Sequence, residues 1–254
     1  MNAESTALIF QTAALSHQGC VRSHNEDNYA TLPELGLWVV ADGMGGHEAG
    51  DVASAIIVQE MSSLGVAVTA ADQRARFLER LDRAHQRIRA HAAENELDTV
   101  GTTVAALMVF GAELSCAWAG DSRIYLLRKA ELTAMTRDHS EVATLLAEGA
   151  ITAEEARSSP RRNVITRAVG IGNDPRPEMV TGVARPGDRF LICSDGLTEH
   201  LTDEELGYVL GTGRDAQQTA EHLIGLTLER GAKDNVTVLV IDAEAAGDDP
   251  GEGG

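Results

Sequence analysis

The sequence predicts an α+β fold in which two antiparallel sheets are covered by helices. Short apolar runs that end in Gly or Asp, a pattern typical of strands, cluster near the two ends and in the middle of the chain. Helical segments lie between these clusters, and strict alternation of strands with helices is absent. This order disfavours a doubly wound parallel sheet and favours antiparallel sheets with helices outside them.

Six runs are predicted as strands because each has four to seven mainly apolar residues next to turn-forming residues. Only 4% of the residues are aromatic, so Val, Leu, Ile and Ala must build most of the core. The runs are residues 37–41, 104–110, 114–119, 124–127, 189–193 and 236–241.

The segments between the strands carry helix signals. Across residues 71–92 apolar side chains recur at every third or fourth position, which places them on one helix face. Thr152 and Thr202 are each followed by Glu three positions later, the pattern of a capping box. Asp215 is expected to cap a further helix that stops near Gly231.

The composition is that of a globular protein with a strong negative charge. Of the 254 residues, 43% are apolar and 24% are charged, and the formal net charge is -18. Nucleic acids and anionic membranes bind clustered positive charge, so this balance argues against both as partners. A strongly acidic chain attracts cations instead.

The cysteines and the first residues indicate a cytoplasmic protein. Cys20, Cys116 and Cys193 lie far apart and give neither a disulfide framework nor a zinc site with thiolate ligands. The start of the chain lacks the basic and apolar regions of a signal peptide, and no apolar run approaches the roughly 20 residues of a membrane span. A reducing cytoplasm is the expected compartment.

Four aspartates adjoin the predicted strands. Asp42, Asp121 and Asp195 come at the ends of apolar runs, and Asp234 stands just before one. A single Asp-Gly pair is usually a turn, but four such acids are harder to explain in that way. Buried carboxylates without partners cost several kcal/mol each, and a bound divalent cation removes that cost. Oxygen ligands without Cys or His favour Mg²⁺ or Mn²⁺ over zinc.

A polar segment near the N-terminus adds Arg22, Glu26 and Asp27 to this set. By itself the segment is typical of a loop. Beside a metal held by carboxylates, its arginine could bind a phosphate group, because a guanidinium group can bind two phosphate oxygens at once. The P-loop motif and the G-x-S-x-G motif of serine hydrolases are both absent from the sequence.

Eight motifs occur in the order RSHNEDN, VVADGMGGHEAGDVAS, GTTVAAL, AGDSRIY, TRDHS, ITRAVG, LICSDGLTEHL and KDNVTVLVI. Together they resemble the metal-dependent protein phosphatases of the type-2C (PPM) family, and most closely its bacterial single-domain members. The resemblance covers about residues 13–241, nearly the whole chain. It implies a serine/threonine protein phosphatase that depends on Mn²⁺ or Mg²⁺.

The resemblance also implies a four-layer α-β-β-α sandwich with a metal centre in a cleft at one edge. Residues 8–242 are expected to form the catalytic domain, with a small flap at about residues 140–163 beside the cleft. The flap ends in Arg161 and Arg162, which are expected to meet acidic surfaces of substrates. Residues 243–254 are acidic and rich in Gly, and we expect them to be disordered.

The ligand positions of the family map onto the acids at the strand ends. By this resemblance Asp42 bridges two metal ions, and the carbonyl oxygen of Gly43 binds one of them. Asp195 and Asp234 complete the coordination of the other ion. Asp121, with Asp195, matches a weaker third site of bacterial relatives.

The remaining polar residues receive roles in the same way. Glu26 and Asp27 are expected to act largely through metal-bound water, and Arg22 matches the arginine that binds the phosphate group. The mechanism implied is direct in-line attack by a hydroxide that bridges the two cations. Metal binding supplies that hydroxide at neutral pH, because it brings the pKa of water from about 15.7 toward 7.

One position departs from the eukaryotic members of the family. They carry a histidine, proposed as a general acid, where this chain has Met44. A thioether cannot donate a proton, so metal-bound water or another group must protonate the leaving group. His47 and His139 are interpreted as structural residues, the former orienting its loop.

Three other functions fit part of the pattern: a metal-dependent phosphoesterase for small esters, a silent relative that binds phosphoproteins, and a structural domain with cation sites. The complete set of Asp42, Asp195 and Asp234 argues against a silent relative, and a structural domain would leave Arg22 unused. The expected partners are phosphorylated proteins, among them a cognate serine/threonine kinase and its substrates. The resemblance implies a monomer.

Overall fold

The computed structural model of the protein describes residues 7–45 and 49–246. Within them the strands are β1 (Leu8–His17), β2 (Asp27–Leu32), β3 (Leu37–Gly45), β4 (Val100–Thr102), β5 (Val104–Phe110), β6 (Glu113–Ala119), β7 (Arg123–Arg128), β8 (Glu131–Ala134), β9 (Glu178–Val183), β10 (Arg189–Cys193) and β11 (Val236–Ala245). The helices are α1 (Ala49–Ser62), α2 (Ala70–Glu94), α3 (Glu141–Ala147), α4 (Ala153–Ser158), α5 (Asp195–Thr198), α6 (Asp203–Leu210) and α7 (Ala216–Glu229), with a short 3-10 turn at Pro33–Leu35.

The strands form two sheets. One has the order β1-β11-β10-β7-β8, and the other has the order β2-β3-β5-β6-β9, with β4 paired to β3. Strands that follow one another closely in sequence, such as β5 with β6 and β7 with β8, pair antiparallel. The prediction of two antiparallel sheets is confirmed, and each of the six predicted runs is a strand.

The core is divided into three layers of apolar contacts by the alternation of side chains along the strands. In β3, Trp38 and Val40 pack between the two sheets, together with Phe190 and Leu239 from the facing sheet. Their neighbours Leu37 and Val39 instead pack against α1 and α2. A third cluster joins α6 and α7 to the outer face of the β10–β11 sheet. This is the predicted α-β-β-α sandwich.

The predicted helices are present, and so are the N-caps predicted at Thr152, Thr202 and Asp215. The side chain of Thr69 caps α2 by accepting from the Asp72 N–H, and Phe77 and Leu81 of that helix are buried as its period predicts. Complete capping boxes begin α4 at Thr152 and α6 at Thr202. Asp215 caps α7.

The elements that were not predicted have weak sequence signals, for three different reasons. Four of the five strands outside the predicted runs, β1, β2, β8 and β9, lie at sheet edges, where one side of the strand faces solvent and the apolar pattern is weak. β4 has only three residues. Helix α1 buries small residues such as Gly50, Ala53 and Ser54, so its sequence lacks a clear apolar period.

The predicted C-terminal boundary of the domain is wrong by several residues. Strand β11 continues to Ala245, which pairs with Leu8 of β1, and Ala243 is 2% exposed. Pairing with β1 along its whole length keeps the end of this strand in the sheet. The remainder of the predicted disordered tail, residues 247–254, lies outside the described residues.

The flap region contains the two expected helical pieces, α3 and α4. Its ends come together where Ser140 bridges Ile165 and where the Glu141 N–H donates to the Val164 carbonyl at 3.0 Å. Cys116 and Cys193 are buried free thiols, as expected, and Cys20 is free and exposed. Across the described ranges, none of the helices has both the length and the apolar character that crossing a bilayer requires.

Arg189 joins the β10–β11 sheet to the helices outside it. Its Nε and Nη2 donate to the two carboxylate oxygens of Asp242, at 2.5 and 2.7 Å, across the strand pair. The same guanidinium donates to the carbonyl of Leu210, the last residue of α6, at 2.9 Å and to that of Arg214, which precedes α7, at 2.7 Å. The side chain is 13% exposed, so little water replaces these bonds.

We expect Arg189→Lys to lower the free energy of unfolding by about 1–3 kcal/mol, because an ammonium group keeps the charge but cannot make the four bonds of the planar fork. Urea unfolding followed by circular dichroism measures the change. Arg185→Lys, at an exposed site nearby, is the matched control. Equal stabilities of the two variants would contradict this role for Arg189.

Candidate metal centre

The centre of the site is a pair of carboxylates that face each other across two strands. Asp27 of β2 lies directly opposite Asp42 of β3 in the antiparallel register. Side chains in such positions have Cβ atoms about 4.5–5.5 Å apart, and like charges there are destabilising. Asp27 is 7% exposed, so water does little to screen the repulsion.

Asp27 is held in this position by the other sheet. Its Oδ2 accepts hydrogen bonds from Ser194 Oγ at 2.8 Å and from Thr237 Oγ1 at 2.7 Å. Burial, aided by the charge of Asp234, raises the pKa of Asp27 to about 6 against the lowering effect of these two hydroxyls. Asp27 Oδ1 is buried and has no hydrogen-bond partner in the described part of the chain. An orphaned, anionic oxygen is what a cation would satisfy.

Asp42 is fixed through its backbone. Its N–H donates to Thr103 Oγ1 at 3.0 Å, and its carbonyl accepts from Thr102 Oγ1 at 2.9 Å and from the Thr103 N–H at 2.8 Å. The pKa of Asp42 is raised well above its ordinary value, first by burial and then by the negative charges of Asp27, Asp195, Asp121 and Asp234, in that order. The carboxylates predicted from distant parts of the chain therefore lie close enough to repel one another.

Asp195 and Asp121 complete the acidic cluster. Asp195 is the first residue of α5, and its pKa is raised by burial and then by the charges of Asp121 and Glu199. Asp121 follows β6, and burial, aided by the charge of Asp138, raises its pKa to about 7 despite the nearby Arg123. Both groups sit beside the Asp27–Asp42 pair and add to its unfavourable charge.

Glu26, the residue before Asp27, also lies beside the acidic cluster. Its carboxylate accepts a hydrogen bond from the Gly50 backbone in the first turn of α1, while burial raises its pKa. A Cβ at Gly50 would lie 2.7 Å from the Glu26 carboxyl carbon, and a Cβ at Gly43 would lie 2.0 Å from the Gly50 carbonyl oxygen. These glycines therefore allow β3, α1 and the Glu26 loop to approach each other closely.

Asn235 joins the Glu26 loop to β11. Its Oδ1 accepts from the Glu26 N–H at 2.8 Å, and its Nδ2 donates to the carbonyls of Gln18 at 3.0 Å and His24 at 2.8 Å. The residue is 6% exposed. One side chain thus fixes the segment that carries Arg22 and Glu26 beside Asp234.

Arg22 lies at the site, but its nearest partner is a predicted metal ligand. Its Nη2 donates to Asp234 Oδ2 at 2.6 Å, and its side chain is 54% exposed. The charges of Glu26 and Asp42 also act on it. The predicted role of Arg22 in binding phosphate stays a prediction.

The carboxylates lie close together, but their side chains are not arranged to coordinate a metal ion. Within residues 7–45 and 49–246, no three His, Cys, Asp or Glu side chains form a group that would hold a metal ion as they stand. Asp234 shows one physical reason, since its Oδ2 accepts from Arg22 and its Oδ1 accepts from the Asn235 N–H at 2.9 Å. The assignment of Glu26, Asp27, Asp42, Gly43, Asp121, Asp195 and Asp234 as ligands stays a prediction. Carboxylate oxygens are nevertheless the type of ligand that a hard divalent cation prefers.

Several supporting residues were not predicted, although the sequence contained a signal for them. Thr102, Thr103, Ser194 and Thr237 each bond to Asp42 or Asp27, and each stands in or beside a motif that contains a predicted acid. A buried hydroxyl next to a buried carboxylate in sequence is a reasonable sign of such a role.

The structure describes two of the three remaining residues that the sequence singled out, His139 and Met44. His139 has a supporting position, because its Nδ1 accepts from the Gly120 N–H at 3.1 Å and its ring stacks on Trp118. Met44 is half-buried, and its methyl group packs against Gly101. His47 lies outside the described residues.

The raised pKa of Asp121 predicts how the stability of the metal-free protein depends on pH. Its folded-state pKa of about 7 exceeds the ordinary value of 3.8, so the folded state loses stability as pH rises from about 4 to about 7. Asp121→Asn removes this effect. The free energy of unfolding of the variant relative to the wild type should therefore increase across that window and level off above it.

Urea unfolding in EDTA at several pH values between 4 and 8 measures this difference. Asp98→Asn, at an exposed position outside the site, is the matched control. A difference for Asp121→Asn that is constant or falls as pH rises would show that this carboxyl is not destabilised by its surroundings.

The chain is similar in sequence to known proteins. A family model described as protein phosphatase 2C matches residues 20–228. The chain is 41% identical over 237 residues to the serine/threonine protein phosphatase PstP of Mycobacterium tuberculosis, covering 92% of this chain and 45% of PstP. It is 34% identical over 235 residues to the serine/threonine phosphatase stp of Listeria monocytogenes, covering 89% of this chain and 93% of that protein.

Solved structures have the same fold. The catalytic domain of serine/threonine protein phosphatase PstP in complex with 2 manganese ions is similar with a TM-score of 0.85 and 38% identity, covering 93% of this chain and 99% of that structure. The chain thus spans about half the length of full PstP and nearly the whole of stp. On the extent of the family match and the identity over nine-tenths of its length, the chain belongs to the protein phosphatase 2C family.

Proposed function

We propose that this chain is a metal-dependent serine/threonine protein phosphatase, which hydrolyses phosphoserine and phosphothreonine on other proteins. The observation that carries the proposal is the opposition of Asp27 and Asp42, with Asp121, Asp195 and Asp234 close enough to raise the pKa of Asp42. So much buried negative charge at one place is unstable without cations. The relatives named above support the same reaction class.

Mn²⁺ or Mg²⁺ is the proposed cofactor, with two ions at the core. The manganese complex of PstP supports this number. Asp42, Asp195, Asp234 and the Gly43 carbonyl would hold the ions directly, and a weaker third ion would involve Asp121. When bound, such ions supply nucleophilic hydroxide at neutral pH and offset charge on the phosphoryl group.

The protein's own side chains bind the substrate phosphate and orient water. Ser194 and Thr237 hold the Asp27 carboxylate by two hydrogen bonds, so Asp27 can in turn orient water. Arg22 binds the substrate phosphate through its fork of N–H donors. Because this guanidinium pairs with Asp234, binding of substrate and cations requires Arg22 to exchange a carboxylate for a phosphate partner.

The physiological role belongs to the same proposal. The substrates are phosphorylated proteins, including a cognate serine/threonine kinase and the proteins that it modifies. The enzyme acts as a monomer in the cytoplasm, where the buried free thiols of Cys116 and Cys193 would stay reduced.

The test is Mn²⁺-dependent release of phosphate from a phosphothreonine peptide, compared with release from a nucleotide. Faster turnover of the peptide, abolished by EDTA, supports a protein phosphatase. Preference for the nucleotide would favour an enzyme for small phosphate esters. Absence of turnover with both substrates would favour a silent binding module.

Replacing either of two central acids should abolish turnover. We expect Asp42→Ala and Asp195→Ala to reduce kcat on the phosphopeptide at least 1,000-fold, on the order expected when electrostatic and metal catalysis is lost. Their metal-free forms should be as stable as the wild type or more so, since one of several repelling charges is gone. Steady-state kinetics in saturating Mn²⁺ and thermal unfolding in EDTA provide the measurements.

Asp98→Ala is the control for these two variants, because its side chain is exposed and outside the site. Normal turnover of Asp42→Ala or Asp195→Ala in saturating Mn²⁺ would overturn the assignment of the site.

Arg22→Ala should chiefly weaken the binding of substrate. We expect KM for the phosphopeptide to rise about 10-fold or more, because a charge-assisted contact with phosphate contributes roughly 1.5–3 kcal/mol. Arg22→Lys should recover only part of the affinity, since an ammonium group lacks the fork. Unchanged KM and kcat in Arg22→Ala would remove Arg22 from the substrate site.

A further inference from the structure

The flap has contacts at several places. Its ends are joined to each other where Ser140 bridges Ile165 and where Arg161 pairs with Glu141. These contacts close the flap on itself. Its base is anchored beside Asp121, because the His139 N–H donates to the Gly120 carbonyl at 2.9 Å and the Thr166 N–H donates to the His139 carbonyl at 2.7 Å. A separate contact holds the segment that leaves α4, residues 161–163.

This segment rests on Glu199, which lies outside the flap. Asn163 Nδ2 donates to Glu199 Oε1 at 2.5 Å, and Arg162 Nη2 lies 3.7 Å from the same oxygen. The Glu199 side chain is 15% exposed, whereas that of Arg162 is 46% exposed. Asn163 and Arg162 are both exposed, so the shorter contact, the hydrogen bond from Asn163, is the main one; a long ion pair with an exposed arginine contributes little.

Glu199 is itself attached to the metal centre. It caps the C-terminal end of α5, and its backbone N–H donates to the Asp195 carbonyl at 2.8 Å. Its charge acts on both Asp195 and Asp121. The Glu199 backbone thus bonds to the helix that begins with Asp195, and its carboxylate bonds to the flap.

We propose that Glu199 is a positioning residue that fixes the flap against α5, and that it thereby sets the affinity of the enzyme for protein substrates. A small phosphate ester needs only the acidic cluster and Arg22. A phosphorylated protein also extends over the flap, where Arg161 and Arg162 carry positive charge. Losing the contact should therefore weaken the binding of a phosphopeptide more than that of a small ester. This kinetic part rests on the phosphatase function proposed above, and the positioning part does not.

Trypsin provides a test that needs no phosphatase activity, because Arg161 and Arg162 are its cleavage sites beside the contact. We expect Glu199→Ala and Asn163→Ala each to speed cleavage there roughly tenfold, since cleavage follows the fraction of molecules in which the segment is released. The double variant should be cleaved no faster than either single variant, because all three lack the same bond. Glu204→Ala, at an exposed glutamate in α6, is the control.

The kinetic test compares a phosphothreonine peptide with p-nitrophenyl phosphate, both in saturating Mn²⁺. Asn163→Ala is the sharper variant, since it removes the bond but leaves the charge of Glu199 beside Asp195. We expect its KM for the peptide to rise about three- to tenfold, with kcat on both substrates and KM for the small ester close to wild type. Glu199→Gln, which keeps an acceptor for Asn163, should retain slow cleavage by trypsin.

Wild-type cleavage of Asn163→Ala, or a double variant cleaved much faster than both single variants, would overturn the positioning role. Equal changes in KM for both substrates would overturn the link to protein substrates. Failure of the wild type to release phosphate from any peptide would count against the proposed function, while the trypsin result would still decide the role of Glu199.

Discussion

The main constraint on this structure is that it holds several carboxylates close together where the two sheets meet. Asp27 and Asp42 oppose each other in one sheet, and the hydroxyls that hold Asp27 come from the end of β10 and from β11 in the other. Folding the sandwich therefore creates the acidic cluster, and the apolar layers on both sides must offset its repulsion. A site of this kind is costly to the empty protein, and its affinity for divalent cations follows from that cost.

Neutral polar groups, rather than cations of the protein, organise the cluster. Thr102 and Thr103 fix the backbone of Asp42, and Asn235 fixes the loop of Glu26. Lys or Arg in those places would neutralise the carboxylates and compete with a metal ion. Arg22 pairs with a predicted ligand, Asp234, and it is half-exposed, so it can exchange that partner at little cost in desolvation.

The sequence predicted what depends on local pattern, and it missed what depends on pairing across the chain. Asp42 and Asp195 were found because each comes at the end of a buried apolar run, and Thr152 because its capping box lies within four residues. The contact of Arg22 with Asp234 joins residues 212 positions apart, and the pairing of β1 with β11 brings the segments that carry them together. The edge strands were missed because their exposed sides carry polar residues. The wrong boundary at residue 243 has the same origin, since β1 keeps β11 paired to Ala245.

The pairing of β1 with β11 has a consequence for the way in which the chain could be rearranged. The pair places Leu8 beside Ala245 at one end of the sheet and His17 beside Val236 at the other. The His17 end adjoins the acidic cluster, because Thr237 of β11 bonds to Asp27 there. Ten residues of strand span roughly 30 Å, so Leu8 and Ala245 meet at the end of the sheet that is far from the cluster. Joining them by a short linker would leave the sheet intact, and circular permutants opened at an exposed turn such as that around Gly111 should retain the same cation-binding chemistry.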